Sequence, residues 1–517
     1  MSLKIKFSAP WFAYIALWSL APCLIHGQSQ SKIDAYYQQN EHQIIQDYFS
    51  FLSIPNTFND KEQLKVNAQF ILDLMKKSGI EGRLLYDKDK KNIPVVYGEK
   101  LQPGANTTII FYAHYDGQPV NPDNWERGLE PFKPVFISDR LDKGGKILAF
   151  PKIDEQFDPN WRIYGRSSSD DKAGVYCILK AHQAIKESKL NPSINIKFFF
   201  EGEEENGSVN LEAILEHNKS ILQSDLWIIC DGPMPASGQK QITFGVRGDV
   251  NMHLTVYGPK RPLHSGNYGN WAPNPAHKLT RLLASMKDDE GRVLIDGFYD
   301  DVIPLSKTEM QAIADLNDPG PAMQKELGFA VTETKGKGFL ESIISIPTLN
   351  INGISAANTG RLASNIIPAT ASVALDLRLV KGNTVDGQLN SVKRHIEKMG
   401  YHIVYEEPTD EERDTFANII YISKGKGYPA QRTPMDLPIA QKVIDAVSKT
   451  TTQKIVLMPS AGGSLPLYLF EKVMSTYPVT IPIVNYDNNQ HAENENLLLV
   501  KLSQGISTMA AVMMHGF

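Results

Sequence analysis

Apolar positions recur along this chain in two rhythms, one of three to four residues and one of two. In the polar stretch from about 31 to 51, Ile44, Ile45, Tyr48, Phe49 and Leu52 form one apolar stripe. Leu64, Phe70, Ile71, Leu74 and Met75 do the same for 61–78, so both stretches are expected to be helices. Short β-favouring runs follow at 82–86, 95–98 and 107–112. Beyond a long loop rich in Pro, Gly and Asp, the pattern predicts a helix at 173–185, a strand at 194–200, a helix at 208–216 and a strand at 225–230. Strands alternating with helices imply a mixed or parallel sheet flanked by helical layers.

The rhythm changes after Gly245. Residues 250–257 alternate as a half-buried strand, 274–286 are helical, and a polar insertion runs from 287 to about 338. Strands are expected at 343–351 and 371–379, a helix at 385–399 and a strand at 401–405, together a compact α+β sandwich. Helix-and-strand alternation returns at 438–448, with a further strand expected at 481–485. The fold class expected is therefore α/β, a mixed sheet flanked by helices (residues 32–246 and 426–517) with an α+β domain inserted at 247–425.

Composition narrows the function. The chain has 517 residues, 42% hydrophobic and 21% charged, which is ordinary for a globular protein and too long for a single core. Its formal net charge is -5 and it has no basic run, which argues against a nucleic-acid partner and for small molecules or peptides. Lys4 and Lys6 precede a largely apolar stretch at 9–25 that ends near Gly27, the pattern of a secretory signal at 1–27. A secreted or periplasmic location follows as an expectation, with a lipid anchor at Cys23 as the alternative. The other cysteines, Cys177 and Cys230, sit in apolar runs. Whether they pair is open.

Five places carry the candidate chemistry. An apolar strand runs into Ala113-His114-Tyr115-Asp116, an imidazole with a carboxylate two residues on that could orient it. Ser169-Asp170-Asp171-Lys172 opens a helix, where an acid is equally a routine cap. Phe200-Glu201-Gly202-Glu203-Glu204-Glu205 sets four acids against an aromatic strand, either a solvated loop or a cation site with a carboxyl of raised pKa. Asp231 closes a strand, and His491 follows another. Singly each is commonplace; jointly they offer oxygen and imidazole donors without thiolate, a set suited to Zn, Mn or Co.

With these residues in place, the chain resembles the carnosinase-like metallopeptidase family, which includes dipeptidases, aminoacylases and succinyl-diaminopimelate desuccinylase. It is most similar to the dipeptidase branch, through Glu201 to Glu205, Pro347-Thr348-Leu349-Asn350-Ile351-Asn352-Gly353-Ile354, Arg378-Leu379-Val380 and Gly462-Gly463-Ser464-Leu465-Pro466. The resemblance implies two divalent ions, zinc first, with Asp170 bridging them. Glu205 and His491 would complete one site, His114 and Asp231 the other. It further implies Glu204 as general base, Asp116 orienting His114, and His264 entering a partner's site from a lid domain that also makes a homodimer. Asn365, Arg378, Gly463 and Ser464 would bind substrate, with Arg378 gripping a free carboxylate. The activity implied is hydrolysis of the amide bond of a dipeptide or short peptide with a free C-terminal carboxylate. An N-acyl amino acid is the alternative substrate.

Overall fold

The computed structural model describes residues 15–90, 92–334, 336–463 and 466–517, with side chains from residue 29 onward. The segment read as a signal therefore lies outside the described residues up to residue 14, and beyond that the helix Ile15–Leu52 begins. Among the described residues, no helix is long and apolar enough to cross a membrane.

The chain forms two compact units. The first comprises the described residues up to Ile242, with Leu437–Val456 and Val473–Phe517; the second comprises Thr243–Asp436 and Leu457–Lys472. The second thus holds 426–436 and 457–472, which the hydrophobic pattern alone assigned to the first. Backbone pairing explains the difference. The Ile419–Tyr428 strand runs the length of Gly248–Tyr257, and Gln431–Arg432 pairs with Gly245–Val246. Ala461 N donates to Gly245 O at 2.8 Å and Phe244 N to Met458 O at 2.9 Å.

The first unit is built on a sheet in which six strands run in the order Glu81–Leu85, Val95–Lys100, Asn195–Glu201, Thr108–His114, Leu226–Ile229, Pro478–Thr480. Its central strands are parallel: Thr108–His114 lies between Asn195–Glu201 and Leu226–Ile229, with His114 opposite Glu201 and Tyr112 opposite Ile229. Ile109 to His114 are buried without alternation, as in a sheet covered on both faces. The helices Lys172–Glu187 and Leu499–Met514 pack together, and Ile15–Leu52 packs on both. The parallel register brings the C-terminal ends of three central strands side by side, the place where open α/β sheets bind ligands.

The loop expected between 113 and 172 contains three short strands, Val135–Ile137, Ile147–Leu148 and Arg162–Tyr164, which form a small antiparallel sheet with Asn496–Leu498. Two or three residues are too few to show a period. The strand expected at 481–485 is instead Pro478–Thr480, so His491 stands on a loop well past a strand end.

In the second unit a five-stranded sheet runs Thr348–Ser355, Thr370–Leu379, Gly248–Tyr257, Ile419–Tyr428, His402–Val404. One face packs on the helices Pro275–Met286 and Val385–Lys398, where Met252, Leu254, Val373, Leu375, Leu282 and Val392 share a core. Each such side chain contributes about 1.5–3 kcal/mol by burial. The run at 343–351 is not one strand: Phe339–Ser345 is a helix that buries Leu340 and Ile344, and the strand Thr348–Ser355 starts after Pro347. Proline, lacking an amide donor, divides the two. Within 287–338 lie the helices Lys307–Ala314, opened by a Ser306–Glu309 capping box, and Gly320–Leu327.

Candidate metal centre

His114 ends its strand fully buried, and each ring nitrogen has a separate task. Nδ1 lies 3.2 Å from the carbonyl oxygen of Asp116 with hydrogen-bond geometry and 3.3 Å from its carboxylate. A proton held on Nδ1 leaves Nε2 as a lone-pair donor facing inward. There it lies 3.0 Å from Asp170 Oδ1, 3.7 Å from Glu204 and 3.9 Å from Asp231. The buried Asp116 carboxylate also accepts from the backbone amides of Glu204 (3.2 Å) and Glu205 (3.0 Å). One side chain thus sets both the imidazole and the acidic loop.

The two acids at the start of the Lys172–Glu187 helix divide the readings their sequence left open. Asp171 is the cap: its Oδ1 accepts from Gly174 N at 3.0 Å, and its Oδ2 accepts from His114 N at 3.2 Å. Asp170 points into the cluster. Its Oδ2 is 3.0 Å from His491 Nε2 without hydrogen-bond geometry, so this buried oxygen has no hydrogen-bond partner.

The four acids after the aromatic strand also separate. Glu201 is buried and accepts from the Tyr112 hydroxyl at 2.7 Å, and burial pushes its carboxyl up to about 7. Glu203 accepts from Asn210 Nδ2 at 3.1 and 2.8 Å. Glu204 and Glu205 turn toward His114 and His491, respectively. Gly202 permits this turn, because a Cβ there would run into the Tyr115 ring.

Two groups of donor atoms result, each within 4.8 Å: His114, Asp170 and Asp231, and Asp170, Glu205 and His491. Asp170 belongs to both. Of the five residues His491 is the most open, its side chain 56% exposed. The electrostatics call for cations. Burial first, then repulsion from Asp170, pushes Glu205 up to about 7. Glu204 and Asp231 are raised by burial and by neighbouring carboxylates, against the pull of His114. Burial opposes a proton on His114, yet Glu204, Asp116 and Asp170 outweigh it and raise its pKa. A carboxylate shared by two donor groups, with one buried oxygen lacking a hydrogen-bond partner and an inward imidazole nitrogen in each group, fits a pair of divalent ions.

Sequence gave no sign of Gln118, whose Nε2 donates to Glu205 Oε2 at 2.7 Å. A lone glutamine two residues past Asp116 carries no pattern. The other candidates lie on the second unit, except Ser464, which is outside the described residues. His264 and Asn365 are brought together there: His264 pairs with Ile366 across two short strands, and Ser265 N donates to Asn365 O at 2.9 Å. The exposed His264 ring accepts from Gly266 N at Nδ1 (3.0 Å), which leaves Nε2 to carry the proton. Arg378 pairs with Asp376 at 3.2 Å, and Gly463 is exposed. Cys177 and Cys230 are both free and buried.

Comparison with known proteins gives the family of the chain. The profile of "Peptidase family M20/M25/M40" matches residues 110–515. The chain is 25% identical over 418 residues to the Cys-Gly metallodipeptidase dug1 of Schizosaccharomyces pombe, covering 80% of each. It is 26% identical over 428 residues to the Beta-Ala-His dipeptidase of Homo sapiens, covering 81% of this chain and 76% of that one. Among solved structures, the M20 family metallo-carboxypeptidase Sso-CP2 from Sulfolobus solfataricus superposes with a TM-score of 0.68 at 27% identity, covering 91% of this chain and 98% of that one. The chain belongs to peptidase family M20/M25/M40 and is a metallo-exopeptidase.

Proposed function

We propose that this protein hydrolyses the amide bond of dipeptides or short peptides with a free C-terminal carboxylate, with two divalent ions, zinc first, held at Asp170, His114, Asp231, Glu205 and His491. The observation that carries this reading is the pair of donor groups sharing Asp170. Ions bound there supply Lewis acidity, polarising the scissile carbonyl and making water more acidic. Glu204 takes the water's proton and later delivers it to the leaving nitrogen, a task that suits a carboxyl raised by burial. Asp116 holds His114 in the ligating tautomer and fixes the backbone behind Glu204. In the second unit, His264 presents an Nε2–H donor to oxyanion charge, with Asn365 beside it, and Arg378 grips the substrate carboxylate; the family resemblance adds Gly463 and Ser464 as substrate-binding residues. The names of the two dipeptidases support a dipeptide substrate.

A homodimer through the second unit belongs to the same reading. The strand Thr348–Ser355 ends its sheet and leaves Ile351 48% and Ile354 55% exposed, a template for pairing with a second copy. Export is proposed from Lys4, Lys6 and the apolar stretch at 9–25. The test is chelation followed by zinc add-back, with turnover measured on a panel of dipeptides and N-acetyl amino acids. Dipeptide hydrolysis that vanishes and returns supports the proposal; hydrolysis undiminished by chelation overturns it, and turnover confined to N-acetyl amino acids would make the enzyme a deacylase. Sedimentation tests the dimer, and a fully active monomer would remove His264 from a partner's site.

A further inference from the structure

Glu495 has no part in the chemistry above, yet it is a fully buried carboxylate with five donors on its two oxygens. Oε1 accepts from Ser169 N, Ser169 Oγ and Asp170 N, each at 2.9 Å. Oε2 accepts from Ser167 N at 2.9 Å and from Arg166 Nη1 at 2.8 Å, and Arg166 is itself 2% exposed. The backbone is tied as well, since Gly165 N donates to Glu495 O at 3.0 Å and Asn496 pairs with Tyr164.

The donors are not scattered over the fold. They line the turn that ends on Asp170, the residue common to both donor groups. Glu495 stands four residues past His491, in the loop that leads into the strand Asn496–Leu498. Asn489, His491 and Asn494 there have φ of 55°, 63° and 60°, and the loop closes where Asn496 N donates to Asn488 O at 2.8 Å. His491 is the most exposed of the five donor residues, so little packing holds its ring. We propose that Glu495, with Arg166 as its buried counter-ion, is a positioning residue that sets Asp170 and His491 at ligating distance from each other. The proposal rests on the metal reading of the site and adds the device that assembles it. Buried hydrogen-bond acceptors behind ligands hold them in orientation, and their loss typically costs about 10–100-fold in metal affinity.

The test is a zinc titration of the apo-protein by calorimetry, alongside thermal unfolding in chelator. Glu495→Gln keeps the shape but sets an amide N–H₂ against donors on one side. The expected result is a folded variant whose zinc affinity falls about 10–100-fold. A variant that melts earlier yet binds zinc as the wild type does would overturn the proposal, because Glu495 would then serve the fold alone. Should Glu495→Gln fail to fold, Ser169→Ala and Arg166→Lys decide: weakened zinc binding in both supports the proposal, and unchanged affinity in either overturns it. Wild-type protein that binds no zinc would instead overturn the metal reading itself, a separate outcome.

Discussion

The candidate ligands of the first unit and the candidate substrate residues of the second are held in opposite ways. Of the candidate ligands, His114 and Asp170 are buried, and the buried carboxylates of Asp116 and Glu495 behind them accept backbone amides; His491 is the exception, its side chain 56% exposed. His264, Asn365 and Gly463 are exposed, on short strands and turns, and Arg378 is tied to its own neighbour Asp376. A cluster of acids must be organised before cations arrive, because repulsion would otherwise scatter it. Residues that meet a substrate can wait in solvent. The first region is preorganised by the chain; in the second, His264, Asn365 and Gly463 stand open to solvent.

The largest effect tests the chemical heart of the first region. Glu204→Gln is expected to lower kcat by about 10²–10⁴-fold, with zinc content by elemental analysis unchanged; near-normal turnover would take the base away from Glu204. Next comes the core beneath the site. His182 lies in the Lys172–Glu187 helix against Phe198, and burial pushes its pKa from 6.5 down to about 4. The unfolded chain binds a proton that the fold resists, so stability is full above about pH 6.5 and falls by about 3 kcal/mol as pH drops through 4. Denaturant unfolding across that range should show His182→Met flattening this part of the curve; an unchanged slope would exclude His182 as its source.

Two smaller effects set the regions against each other. Asp116→Asn should weaken zinc binding about 10–100-fold, because it disturbs both His114 and the Glu204–Glu205 backbone. Calorimetry on the apo-protein checks it, and intact affinity would mean that the first region does not depend on its supporting hydrogen bonds. Arg378→Lys should raise KM about tenfold while leaving kcat and zinc affinity nearly unchanged. A fall in zinc affinity instead would place Arg378 with the metal site and erase the contrast.

Much of the fold was legible because long elements repeat. The helices Lys61–Lys77, Lys172–Glu187 and Pro438–Ser448 lie close to where the apolar stripes put them, as do the strands ending at His114 and Glu201. Illegible were elements too short to show a period, such as Val135–Ile137, and the lysine-containing strand Ile419–Tyr428, whose place is fixed by its partner Gly248–Tyr257. The candidate ligands were legible as residue types after strand ends. By residue pattern alone Asp170 and Asp171 could not be told apart, and only the family resemblance pointed to Asp170; the distinction itself is which carboxylate caps the helix and which turns inward. Glu495 and Gln118 were silent, because their hydrogen bonds join segments distant in sequence.

The sequence by itself determined the alternation of strand and helix, the kinds of donor present and the family resemblance, all of which are written in local runs and short motifs. The grouping of five such donors around Asp170 was implied only by the resemblance; the tertiary structure sets the distances among them, and it alone shows the buried Glu495 holding the turn that carries Asp170. The reason is physical: parallel strand register and hydrogen bonds across hundreds of residues set those distances, and neither leaves a periodic trace along the chain.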